Sequence, residues 1–84
     1  KRETGRIYSH ISLVYYRLNK MDSAIIFVNK SIDIADEVND NLGKMRALNN
    51  LGIYYRNSGR YDAADKVYNE SIQIAQKMNL LILC

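Results

Sequence analysis

The sequence lacks proline and tryptophan entirely, and its single cysteine is the last residue, Cys84. The absence of proline favours helices, because a proline inside a helix removes a backbone donor and costs about 3 kcal/mol. A lone cysteine excludes an internal disulfide and predicts a reducing, cytoplasmic location. No signal segment opens the chain, and the longest apolar run, at residues 80–84, is too short to cross a bilayer. We therefore expect a soluble protein with no membrane partner.

The overall composition of the chain is that of one small folded domain. The 84 residues are 48% hydrophobic and 25% charged, which excludes a disordered chain. The chain starts at Lys1 rather than at a methionine, and it finishes with an apolar stretch. We therefore expect a single domain, 1–84, that is a fragment of a longer protein.

An internal repeat appears when the sequence is shifted by 40 residues. Ten positions are then identical. They are Arg6 with Arg46, Tyr15 with Tyr55, Asp22 with Asp62, Ala24 with Ala64, Asn29 with Asn69, Ser31 with Ser71, Ile32 with Ile72, Ile34 with Ile74, Ala35 with Ala75 and Asn39 with Asn79. A fixed period of this length is typical of stacked repeat proteins. We assign repeat 1 to residues 1–40 and repeat 2 to residues 41–80, with 81–84 as a tail or the start of a further helix.

Each repeat divides into two helices, here called the A helix and the B helix. Their core-facing residues step by three and four, which is the period of an amphipathic helix. The A stripes are Tyr8, Ile11, Ser12 and Tyr15, then Leu48, Leu51, Gly52 and Tyr55; the B stripes are Ala24, Phe27, Val28, Ser31 and Ala35, then Ala64, Val67, Tyr68, Ser71 and Ala75. The pattern predicts an all-α fold of two tandem antiparallel helix hairpins.

Short polar segments separate the A and B helices. Asn19 and Gly59 tolerate the left-handed conformation that ends a helix, and Asp22 and Asp62 can accept hydrogen bonds from the first N–H groups of the next one. Small residues occupy positions where two helices must approach closely, and we interpret them as packing sites rather than catalytic serines. They are Ser12, Ala24, Ser31, Gly52, Ala64 and Ser71.

These residues carry a resemblance to a known family. In order and spacing, the second repeat resembles the tetratricopeptide repeat, a helix pair of about 34 residues that serves as a binding scaffold. The matching residues are Leu48, Leu51, Gly52, Tyr55, Gly59, Tyr61, Ala64, Tyr68 and Ser71, and repeat 1 matches more loosely. The 40-residue period and Gln76 in place of the usual proline resemble a long-helix subgroup of bacterial regulatory and signalling proteins. The resemblance implies an α-solenoid that binds a protein or peptide.

No set of residues in the sequence is suited to catalysis. His10 is the only histidine and lies far along the chain from Cys84, so no Cys/His dyad or histidine metal cluster can form within one chain. The four glycines are scattered singly and cannot form a phosphate-binding loop. We predict a protein that is not an enzyme, with no catalytic residue, cofactor or metal site.

Charge is distributed unevenly between the two kinds of helix. The A segments, 1–20 and 41–60, carry nine basic residues and one acidic residue, whereas the B segments carry three basic and eight acidic residues. The overall net charge of +3 therefore hides a basic A side and an acidic B side. Arginine binds carboxylates with paired hydrogen bonds, so the A side suits an acidic peptide.

The outward faces of the A helices form the candidate peptide-binding groove, because the resemblance implies that this surface is concave. The candidate residues are Arg6, Ser9, His10, Leu13, Tyr16, Arg17, Arg46, Asn49, Asn50, Ile53, Arg56 and Asn57. The alternative interpretation is that each of these arginine and asparagine side chains is simply solvated and binds no ligand. Among the tyrosines, Tyr16 and Tyr54 are expected to be exposed, and Tyr8 and Tyr61 to lie near the helix interface.

Two other functions compete with peptide binding. The arginines of the A side and Tyr16 could serve the phosphates and bases of RNA, although aromatic residues do not repeat along the groove. Alternatively, the apolar ends of a two-repeat array could be covered by neighbouring repeats or a second copy. The residues expected at such a contact are Val67, Ile72, Ile74 and 80–83.

Overall fold

The computed structural model describes residues 2–83, with the side chains of residues 3–78. Four helices follow one another: α1 (Arg2–Arg17), α2 (Met21–Glu37), α3 (Asn41–Asn57) and α4 (Tyr61–Leu83). Within residues 2–83 there is no strand, and the helices pack as two hairpins. The main contacts join α1 to α2, α3 to α4 and α2 to α3, with a smaller contact between α1 and α3. The all-α prediction is confirmed.

The three connections between helices share one geometry and recur every 20 residues. Asn19, Asn39 and Gly59 have positive φ angles of 63°, 57° and 79°. The backbone N–H of the residue that follows donates a hydrogen bond to the carbonyl five residues earlier. Lys20 donates to the Tyr15 carbonyl at 2.8 Å, and Arg60 donates to the Tyr55 carbonyl at 2.8 Å. The left-handed residue and this long backbone bond define a Schellman-type helix end. The prediction for Asn19 and Gly59 is confirmed.

The predicted helix starts need correction. Asp22 does not cap α2, because the helix begins one residue earlier, at Met21, and no side chain caps it. Asp62 likewise lies inside the first turn of α4, where a carboxylate still interacts favourably with the positive helix end. The aspartate that does act as a cap is Asp40, whose Oδ1 accepts a hydrogen bond of 3.0 Å from the Gly43 N–H of α3.

The small residues pack between the helices, as predicted. All six of them are buried. Gly52 shows why small size is needed, because a Cβ built there would lie 2.5 Å from Cε1 of Tyr68. Any larger residue at this position would force α3 and α4 apart or displace the Tyr68 ring.

Hydrogen bonds between the A and B helices repeat at the same 40-residue offset as the sequence. Ser31 Oγ donates to the Gly5 carbonyl at 3.0 Å and lies 2.7 Å from Ser9 Oγ. In repeat 2, Ser71 Oγ lies 3.4 Å from the Met45 carbonyl and 3.0 Å from Asn49 Oδ1. Each partner in repeat 2 stands 40 residues after its counterpart, so the two hairpins are built alike.

The predicted burial is wrong for three of the tyrosines. Tyr16, expected to be exposed, is half-buried and packs against the core. Tyr54, expected to be exposed, is only 1% exposed and belongs to the core. Tyr61, expected near the helix interface, is 64% exposed. In hairpin 1, Tyr8 and Tyr15 stack on the ring of Phe27, with centroid distances of 6.0 and 5.5 Å.

The expected apolar end contact also needs correction. Val67 is buried within the chain and Ile74 packs against the core, so neither is available to a neighbour. Ile72 is exposed, as that expectation requires. The side chains of residues 80–83 lie outside the described residues. Among the helices that the structure describes, none combines the length and apolar character needed to cross a membrane.

Candidate functional site

Eight of the twelve predicted groove residues line two surface depressions. Five of them line a depression between the first halves of α1 and α3: Arg6, Ser9, His10, Arg46 and Asn50. Three line a second depression near the ends of these helices: Tyr16, Arg17 and Asn57. The two depressions share no lining residue. These eight predicted residues therefore line two separate concavities.

The first depression, called here the arginine depression, has a volume of about 490 Å³. We call the basic side chains from α1 and α3 its rim, and the apolar side chains from the last turns of α2, the turn that follows and the first turn of α3 its floor. The residues lining it, besides the five named above, are Gly5, Ser31, Ile34, Ala35, Val38, Asp40, Leu42 and Gly43. The floor therefore offers apolar surface between two basic helices.

Repeat-equivalent residues line the arginine depression in pairs. Arg6 and Arg46 differ by 40 positions, as do His10 and Asn50. Both arginines and His10 are exposed, and Asn50 is half-buried. Asp40 is the only acidic residue in the lining, and its carboxylate is engaged as the cap of α3. The rim is therefore positively charged.

A nearby lysine is less free to interact with a ligand. Lys44 Nζ lies 2.7 Å from Oδ1 of Asp36, in an ion pair between α3 and α2. Lys44 does not line the arginine depression. The arginines therefore provide the positive charge that faces this concavity.

The second depression is more polar and has a volume of about 480 Å³. Tyr16, Arg17, Asn19, Met21 and Asn57 line it. Asn57 Nδ2 donates a hydrogen bond of 2.8 Å to the Tyr16 hydroxyl. These two predicted groove residues thus connect one repeat to the other, which leaves them less free to contact a ligand.

Tyr54 forms the junction between the two repeats. Its hydroxyl lies 3.1 Å from Ser12 Oγ, and its ring centroid lies 5.1 Å from that of Tyr16. Because Ser12 Oγ donates to the Ser9 carbonyl at 2.7 Å, the Tyr54 hydroxyl is the donor to Ser12. Burial raises the pKa of Tyr54, since the phenolate would lose its water; Ser12 opposes this shift and Tyr16 adds to it.

The other four predicted groove residues line neither depression. Arg56 is exposed in the last turn of α3, and Asn49 is exposed while it interacts with Ser71. Leu13 is half-buried, and Ile53 packs against the core.

Sequence reasoning missed the floor of the arginine depression. Ile34 and Val38 come from α2 and the turn that follows it, whereas the prediction considered only the A helices, and Leu42 lies in the first turn of α3 but was not among the predicted residues. The tight turn at Asn39 was the available signal, because it places the end of α2 beside the start of α3. Among the described residues, no group of three or more His, Cys, Asp or Glu side chains could hold a metal ion.

Two helical hairpins with a repeated hydrogen-bond pattern define a helical-repeat scaffold. Comparison with protein families identifies which kind: residues 3–77 match the family model described as Tetratricopeptide repeat. The chain belongs to the tetratricopeptide repeat family, and the resemblance seen in the sequence is confirmed. Proteins of this family are typically non-catalytic scaffolds for protein–protein interaction. A search of curated proteins finds no match.

Proposed function

We propose that this protein is a non-catalytic scaffold that binds an acidic or polar peptide segment in the arginine depression. The observation that carries the proposal is the pairing of Arg6 and Arg46 on the rim of one concavity with an apolar floor. A single exposed arginine is ordinary, but two at repeat-equivalent positions on one concavity create a local positive potential. The single cysteine is consistent with action in the cytoplasm.

The chemistry of the depression indicates the kind of peptide that would bind. A guanidinium can hold a carboxylate through two parallel hydrogen bonds. The half-buried amide of Asn50 offers both a donor and an acceptor to an extended backbone. Ile34, Val38 and Leu42 provide apolar surface for a neighbouring side chain. The preferred ligand is therefore an extended segment in which acidic and apolar residues alternate.

The RNA alternative loses its main support. It depended on Tyr16 as a platform for a base, but the Tyr16 ring packs against Tyr54 and its hydroxyl accepts a hydrogen bond from Asn57. Stacking on a base requires a free aromatic face. We therefore propose peptide binding alone.

The experiment uses the dilute protein and two labelled peptides, one alternating glutamate and leucine and the other alternating lysine and leucine. Fluorescence anisotropy at two salt concentrations gives the dissociation constants. We expect the acidic peptide to bind more tightly, and the difference to shrink in high salt. Arg46→Gln should weaken the acidic peptide about tenfold, because charge-assisted hydrogen bonds contribute about 1.5–3 kcal/mol.

Arg56→Gln is the matched control, because Arg56 lies on the same helix and is exposed but does not line the depression. It should leave the affinity for the acidic peptide unchanged. Equal binding of the two peptides, or equal losses from Arg46→Gln and Arg56→Gln, would contradict the proposal. Salt-sensitive binding of a single-stranded RNA oligonucleotide without peptide binding would favour the RNA alternative.

A further inference from the structure

Exposed apolar side chains cluster at the two ends of the helical array. On α1 and the turn that follows it, Ile7, Val14 and Leu18 are 56%, 55% and 60% exposed. On α4, Tyr61 and Ile72 are 64% and 52% exposed. The 40-residue repeat relates Ile7, Val14, Tyr61 and Ile72 to residues at the contact between hairpin 1 and hairpin 2, whereas the equivalent of Leu18 is the exposed Ser58. This relation identifies what kind of surface would cover the two clusters.

The exposed stripe of α1 corresponds to the surface that α3 presents to hairpin 1. Adding 40 to Ile7 and Val14 gives Ala47 and Tyr54, which are 0% and 1% exposed. Tyr54 faces hairpin 1 directly, through its contacts with Ser12 and Tyr16. The outer face of α1 therefore has the position and apolar character of an interface, but no hairpin precedes it among the described residues.

The exposed side of α4 corresponds in the same way to the side of α2 that faces hairpin 2. One side of α2 faces α1, because Phe27 stacks on Tyr8 and Ser31 interacts with Ser9. From the other side of α2, Met21, Ile25 and Ile32 pack against the core that α2 shares with α3. Their counterparts on α4 are Tyr61, Asp65 and Ile72, and all three are exposed.

We propose that a second copy of this chain stacks head to tail on the first, with the outer face of α4 of one copy against the outer face of α1 of the next. The arrangement continues the contact between hairpins 1 and 2 across the boundary between two copies. It is a heterologous contact, since two different faces meet, and it therefore allows further copies to add. It is independent of peptide binding.

The hydroxyl pair that is buried in the internal contact has no counterpart at the boundary between copies. In the internal contact, the Tyr54 hydroxyl donates to Ser12. Between copies, the equivalent pair is Val14 of one copy and Gly52 of the other, and neither carries a hydroxyl. At this pair of positions the intermolecular contact would bury no hydroxyl without a partner, which avoids a cost of about 1–3 kcal/mol.

Two features of this boundary oppose association. The Asp65 carboxylate lies where the internal contact has the apolar Ile25, and one equivalent pair brings two arginines together. Asn57 and Tyr16 share a hydrogen bond in the internal contact, and their equivalents between copies are Arg17 and Arg56. Two exposed arginines at the rim repel each other weakly, and salt screens this repulsion. Association should therefore strengthen as the salt concentration rises.

Analytical ultracentrifugation of the whole chain over a concentration series tests the proposal. The wild-type mass should rise with concentration and continue beyond a dimer. Val14→Asp should block the α1 face and Ile72→Asp should block the α4 face, so each variant alone should remain monomeric. A mixture of the two should form a closed 1:1 dimer, because each partner retains one complementary face.

Ile26→Asp is the matched control, since Ile26 is 55% exposed and lies on neither of the two faces. It should associate like the wild type, and circular dichroism should show that all variants keep their helices. A wild type that stays monomeric, or a single-face variant that still dimerises by itself, would overturn the proposal. So would a mixture that stays monomeric.

The register of the contact has its own test. Arg17→Asn combined with Arg56→Tyr places the residues of the internal hydrogen bond at the boundary between copies. This double variant should tighten association about two- to fivefold, as expected for removing a weak surface repulsion. Unchanged or weaker association would contradict the proposed register.

Discussion

Tyr54 joins the two hairpins through one buried hydroxyl. Its side chain comes from α3, and its hydroxyl donates to Ser12 of α1 at 3.1 Å. A buried hydroxyl with a partner contributes about 1 kcal/mol, whereas one without a partner costs more than that. A residue that the sequence suggested as a surface tyrosine therefore stabilises the contact between repeats.

The raised pKa of Tyr54 predicts a specific alkaline sensitivity. The folded state keeps the phenol proton at a pH where the unfolded chain, with its ordinary value of 10.0, begins to lose it. The stability that this side chain contributes is therefore complete below about pH 10 and falls as the pH rises further. Tyr54→Phe should cost about 1 kcal/mol near neutral pH, and the difference from wild type should shrink at high pH.

Urea denaturation of both proteins at about pH 8 and about pH 11 measures this difference. The other six tyrosines are present in both proteins, so the comparison isolates Tyr54. Tyr61→Phe, at an exposed position, is the matched control and should leave the free energy of unfolding at about pH 8 nearly unchanged. A difference in the free energy of unfolding between wild type and Tyr54→Phe that stays constant or widens at high pH would contradict the assigned role.

At the scale of the helices, Gly52 sets how closely α3 approaches α4. A Cβ at this position would lie 2.5 Å from Cε1 and 2.7 Å from Cζ of Tyr68. Gly52→Ala should therefore destabilise the fold by about 1–3 kcal/mol through overpacking, even though alanine favours helix formation.

A double-mutant cycle can separate this clash from other effects. Repeat 1 has Val28 at the position equivalent to Tyr68. Tyr68→Val therefore removes the ring and introduces the residue that repeat 1 already has at this position. In the Tyr68→Val background, Gly52→Ala should cost less than in the wild type, with a coupling energy of about 1 kcal/mol or more in denaturant unfolding. Equal costs in the two backgrounds would show that the ring is not the obstacle.

The helices were predictable because their signals are local. The three-and-four spacing of apolar residues and the small residues at Ser12, Gly52 and Ser71 determine which faces pack. The starts of the B helices were less predictable. Asp22 is a residue type that favours helix caps. However, α2 begins at Met21, soon after the Schellman turn at Asn19, so Asp22 lies inside the helix.

At the scale of the whole molecule, the A and B helices together build the site. The basic rim comes from repeat-equivalent residues of α1 and α3, which the sequence repeat could predict. The apolar floor depends on how hairpin 2 docks on hairpin 1, which brings Ile34, Val38 and Leu42 together. The same docking buries Tyr54 and engages Tyr16 and Asn57. Periodicity within one helix carries no information about such a contact.

A charge-reversal experiment tests the central claim of peptide binding in the arginine depression most directly. The affinities of the glutamate–leucine and lysine–leucine peptides are measured for the double variant Arg6→Glu with Arg46→Glu. We predict that the preference inverts, so that the basic peptide binds more tightly, because both rim charges face the same concavity. Arg17→Glu with Arg56→Glu, which makes the same change in net charge outside the arginine depression, should retain the preference for the acidic peptide. An unchanged preference in the first variant, or the same inversion in both, would contradict the account.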